Sequence, residues 1–218
     1  SFVPTAFNHG FGITPGNDIS IAEILSKNGI KYINTPFQKI HNAEEISNKY
    51  FGFDTDVLTI DRGKDILPWN ATGVIPTGVL AGPTCGMHWA NLIHPDPDKN
   101  QEIVNEWVQL LAPYNDKENT MLAPDSGLFQ NQLLYYECTG LSINDNTILL
   151  DFKELYSFPG QKVNKSFILK VKSNSPLKFR SDVLKIRSYE LKRTDDSFIS
   201  TLKVERIQAV NKAIIKIL

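Results

Sequence analysis

Two cysteines, two methionines and four histidines in 218 residues leave little material for redox or metal chemistry. Cys85 and Cys138 do not make a disulfide framework or a metal-ligand cluster, and free thiols are their default reading. Cys85 stands three positions before His88; on a strand that spacing puts the two on opposite faces, which argues against a Cys-His catalytic pair. No apolar run approaches the roughly 20 residues of a membrane span, and no signal peptide precedes the first strand-like segment. Internal repeats and low-complexity segments are missing too. His-x-x-x-His does not occur, and the only Asp-Asp pair is Asp195-Asp196, in a polar turn late in the chain.

What is present is ample core material, at 41% hydrophobic residues, and a charge asymmetry hidden by the net charge of −1. Residues 1–137 hold 8 Lys+Arg against 16 Asp+Glu, a net of −8, whereas residues 138–218 hold 15 against 8, a net of +7. Two readings stand side by side: two surfaces that attract each other, or a basic module for an anionic polymer. All four His and all three Trp fall in the acidic part, so chemistry is expected there.

The hydrophobic period divides the chain at the same place. "FVPTAF" reads as a strand, "NHGFGITPGND" as a loop, "IAEILSK" as a helix stopped by Asn28-Gly29, and "IKYIN" as a second strand, together a βαβ unit. A helical piece around "AEEISNKY" is expected before the strand "VLTI", and "GVLAGPTCGM" reads as a strand delivering His88. "DKNQEIVNEWVQLLAPY" gives a helix whose apolar stripe is Ile103, Val104, Trp107, Leu110 and Leu111, with capping assigned to Asp98. A last helix begins near Pro124. From Cys138 the period is two: a hairpin around Asn144 to Asn146, then "SFILKVKS", "VLKIRSYEL", "FISTLKVERI" and "AIIKIL". The expected domains are therefore 1–137, α/β, and 138–218, a small antiparallel β-sandwich.

In α/β folds, functional groups gather at the C-terminal ends of strands. That rule nominates Asn8 and His9, Asp61 with Arg62, and His88 with Trp89; Trp69, in the loop "DILPWNATG", adds an exposed aromatic face.

These strand ends resemble the later part of a polysaccharide deacetylase domain, of the glycoside hydrolase and deacetylase superfamily. "PTAFNHGFG" with "IAEILSKNGIKYIN" is similar to the family's motif built around Arg-Pro-Pro-Tyr, and "CGMHWANL" to its terminal Leu-x-His motif. The resemblance covers about residues 1–137 and implies a partial (β/α) barrel in which His88 is the general acid. It implies Asn8, His9, Asp61, Trp69 and Trp89 as substrate contacts and a polysaccharide or oligosaccharide as partner, with no nucleic acid. The family's metal residues have no counterpart here, and Asn8 and His9 stand where the family has Arg. A divalent metal such as zinc would then belong to a complete enzyme whose N-terminal barrel half lies outside this chain. Two functions remain open on that basis. One is a metal-dependent hydrolase of C–N bonds, outside the cell or in its envelope; the other is a non-catalytic carbohydrate-binding or surface-interaction protein.

Overall fold

The computed structural model describes residues 21–34, 44–45, 51–54, 56–60, 73, 89–115, 121, 123–157 and 163–218. The chain divides into two compact units, Ser1–Met121 and Leu122–Leu218.

In the first unit, helix α1 (Ile21–Lys27) ends where Gly29 takes a left-handed φ of 77°. The Gly29 N–H then reaches Ser26 O at 2.9 Å and the Ile30 N–H reaches Leu25 O at 2.9 Å, the paired bonds of a Schellman stop. Leu25 packs with Ile33, Val57 and Ile30. Strands β1 (Tyr32–Asn34), β2 (Glu44–Glu45), β3 (Phe51–Asp54) and β4 (Val57–Ile60) form one sheet in the order β1-β4-β3-β2. Only β1 and β4 run parallel; β2 with β3 and β3 with β4 are antiparallel.

This corrects the expected fold class. Among the described residues the molecule is mostly β-sheet with short helices, and no partial (β/α) barrel is formed. The reason is local: "FGFDTDVLTI" closes on itself as a hairpin, with Phe51 opposite Ile60 and Phe53 opposite Leu58. A hairpin fixes far fewer residues than a helical crossover. Glu44 and Glu45, expected in a helical piece, are strand residues paired with Phe53 and Gly52.

Helix α2 (Asn100–Leu111) buries Ile103 and Leu110, but Val104, Val108 and Leu111 of the same helix are exposed, so the apolar stripe is narrower than the sequence suggests. Capping is corrected as well. Asp96 caps the short 3-10 turn Pro97–Lys99 by accepting from Asp98 N–H at 3.2 Å, and Asp98 caps nothing in α2, whose N-cap is Lys99.

The second unit opens with α3 (Ser126–Cys138), capped by Asp125, which accepts from Leu128 N–H at 2.8 Å. The division between the two compact units falls before this helix. Strands β5 (Gly140–Asn144), β6 (Thr147–Asp151), β7 (Ser166–Ser173), β8 (Phe179–Arg180), β9 (Leu184–Arg193), β10 (Phe198–Arg206) and β11 (Lys212–Ile217) follow. They make two sheets, β7-β10-β9 and β5-β6-β11-β8, and every described pair is antiparallel. The β5-β6 turn places Asp145 at φ 46°, a left-handed conformation that Asp tolerates better than most residues.

Alternation decides the inside. Phe167, Leu184, Leu202 and Val204 of one sheet and Ile148, Leu150, Ala213 and Ile215 of the other are buried. Helix α3 closes the β7 edge: Gln132 accepts from Ile168 N–H at 2.9 Å and donates to Ile168 O at 3.0 Å, so its amide behaves like one residue of a further strand. Replacing it by Leu leaves two strand groups without that partner. Gln132→Leu is expected to lower unfolding free energy by about 1–3 kcal/mol, read from the denaturant midpoint. An unchanged midpoint would show that the amide pairing contributes nothing.

Candidate functional site

Asn8, His9, Asp61, Trp69 and His88 lie outside the described residues. Trp89 starts a 3-10 turn, Trp89–Asn91, in which only its backbone is described. How these residues stand to one another is therefore outside the described structure.

The neighbourhood after Trp89 is built by packing. The Asn91 side chain is buried and donates to Gly73 O at 3.1 Å, and Trp107 Nε1 donates to Asn91 O at 2.7 Å. Trp107 is half-buried through this bond rather than sealed in the core. Gly73 has a φ of 88°, which strains any other residue, and a Cβ there would lie 2.8 Å from Glu106 Oε2, the end of a side chain that would have to move aside. His94 Nδ1 accepts from Asp96 N–H at 2.9 Å, a bond that fixes the ring against the turn leading into α2. Among the described residues no group of three or more His, Cys, Asp or Glu could hold a metal ion, so the zinc of the resembled family finds no ligand set there.

Two features of the second unit have definite chemistry. The first surrounds Arg206, the last residue of β10, which is 5% exposed. Its guanidinium carbon lies 4.9 Å from the Tyr156 ring centroid, 5.4 Å from that of Tyr135 and 5.7 Å from that of Phe152, and it donates to the Tyr156 hydroxyl. Among the described residues no carboxylate forms a salt bridge with it; three ring faces supply the negative potential instead. Tyr135 also stacks on Phe167 at 4.4 Å and donates its hydroxyl to Asn164 O at 2.9 Å. Burial pushes the Tyr135 hydroxyl up to about 12, and the Arg206 charge partly offsets that rise.

The second feature is the outer face of β7-β10-β9. Register puts Glu205 beside Lys185 and Ser166, Lys203 beside Ser188 and Ile168, Thr201 beside Lys170 and Glu190, and Ile199 beside Lys172 and Lys192. A bulge at Lys203/Val204 adds Arg187 to this face, where its Nε pairs with Glu205. That bond holds Glu205 below the usual carboxylate range. The signal was visible in the sequence as Lys or Arg at alternating positions of "LKVKS" and "LKIRS", but alternation alone does not say which face it occupies.

Compared with family models, curated proteins and solved structures, the chain matches none.

The Arg206 enclosure sets a pH window. Because the folded hydroxyl of Tyr135 ionises later than the unfolded reference near 10, stability is full below pH 10 and declines as pH rises towards about 12. Tyr135→Phe removes the titrating group and is expected to flatten this decline, as followed by thermal midpoints across alkaline pH. Arg206→Lys keeps the charge but not the planar group between rings, and should cost about 1–2 kcal/mol in unfolding free energy.

Proposed function

We propose that this chain is a polysaccharide-binding, surface-interaction protein, and that the antiparallel unit, residues 122–218, is its binding module. The observation that supports the reading is the outer face of β7-β10-β9. It is a sheet surface, bulged once at Lys203/Val204, on which long polar side chains and hydroxyls, including Ser166, Ser188, Thr201 and Glu190, surround Ile168 and the buried Ile199. Side chains on such a face repeat at about 6.8 Å along a strand and about 4.8 Å between strands. A polymer with hydrogen-bonding groups at every unit meets a repeating surface of this kind at many weak points at once. A small ligand, by contrast, needs a concave pocket.

A glycan partner of this kind goes with a location outside the cell or in its envelope. The hydrolase reading, with His88 as general acid, depends on residues that lie outside the described ones, and no described geometry supports it. No helix among the described residues is long and apolar enough to cross a membrane.

Affinity electrophoresis of the full chain through gels containing neutral or acidic polysaccharides tests the reading. Retardation by at least one glycan is expected, with the retarding site lost on deletion of residues 122–218. Free migration through every gel would overturn it.

A further inference from the structure

We infer that the outer face of β7-β10-β9 selects acidic polysaccharides over neutral ones. The inference rests on the polysaccharide-binding reading and adds the charge of the ligand. Six cations share this face, Lys170, Lys172, Lys185, Arg187, Lys192 and Lys203, against two carboxylates, Glu190 and Glu205. Arg187 and Glu205 neutralise one another, which leaves Glu190 as the other carboxylate of the face. Among the described residues Lys185, Lys192 and Lys203 form no salt bridge, whereas each strand cation of the other sheet reaches a carboxylate: Lys212 pairs with Asp151 at 3.7 Å, and Arg180 and Lys216 share Asp182, at 3.6 and 4.0 Å. The excess is thus a property of one face rather than of the whole unit.

Protection of a sheet edge is the competing physical reason for such lysines. It accounts for Lys185 and Lys192 on edge strand β9. It does not account for Lys203, which is on the central strand β10. Nor is it needed on β7 around Ile168, where Gln132 already occupies the edge. Like charges on one face repel, at a cost to the folded state, and a bound polyanion relieves that repulsion.

The face also separates kinds of polyanion. No aromatic residue is among its register positions, so neither a neutral sugar ring nor an unpaired nucleic-acid base finds a surface on which to stack. Recognition there is by ammonium groups at regular intervals, suited to charged groups carried at regular intervals on a sugar chain.

The test compares dextran with dextran sulfate, which share a backbone and differ in charge, and adds polygalacturonate, xylan and a duplex oligonucleotide, all with the full chain at low and at high salt. Binding of dextran sulfate and polygalacturonate that is lost at high salt, with no binding of dextran or xylan, is the expected result. Binding of neutral and acidic glycans alike, insensitive to salt, would overturn the inference and leave the polysaccharide-binding reading standing. Binding of no glycan would overturn both, and duplex binding as tight as that of the glycans would assign the face to nucleic acid instead. The triple variant Lys185→Gln, Lys192→Gln, Lys203→Gln should bind acidic glycan roughly tenfold more weakly, the scale of three exposed charge contacts. A control carrying Lys153→Gln, Lys178→Gln and Lys212→Gln has the same net charge and should bind as the parent does; equal loss in both would reduce the effect to net charge. If the triple variant does not fold, the salt dependence of the parent still decides between acidic and neutral ligand.

Discussion

A guanidinium held among three aromatic rings organises the second unit. Arg206 joins parts of the chain that are far apart in sequence: the end of β10, Tyr135 of α3, and Phe152 and Tyr156 after β6. Burying a cation is expensive unless something replaces its water, and here the replacement requires all three rings to be in place together. The same rings carry the packing outward, since Phe152 meets Phe167 of β7 at 5.9 Å and Tyr135 at 6.1 Å. With α3 fixed by Tyr135, its Gln132 stands at the β7 edge, and the face on the far side of that sheet is free to carry charge. The cluster that holds the core together and the face proposed to bind are thus two sides of one sheet.

How much of this was legible in the sequence depends on the range of the interaction. Six of the seven strands of the second unit followed from period-two alternation, the two-residue β8 being too short to show it, and the β5-β6 turn followed from Asn144-Asp145-Asn146, because those signals are local. The stop of α1 at Gly29 was local too. Arg206 reads in sequence as one more basic residue of "KVER", since nothing nearby announces rings contributed by residues 50 and more positions earlier. In the first unit the failure has another cause. A short segment such as "AEEIS" carries too few residues for periodicity to separate a helix from a strand, and a hairpin partner seven to nine positions away decided the matter.

The candidate site shows the same limit. Strand-end reasoning presupposed a parallel sheet, and the described sheet of the first unit has a single parallel pair. The rule that nominated His88 and its companions therefore loses its premise in the described part, although those residues themselves lie outside it. Alternating lysines, by contrast, need only a strand to become a charged face, and the strand is there.

Gln132 has one more consequence. A sheet with two bare edges can add copies of itself without end, whereas a sheet stoppered on one side can grow only from the other. In β7-β10-β9 the stopper is at Ile168 of β7, and β9 is the remaining side. At Ile168 the unit's own helix stands where a strand of a second copy would have to pair, so an added strand meets an obstacle on the β7 side that it does not meet on the β9 side.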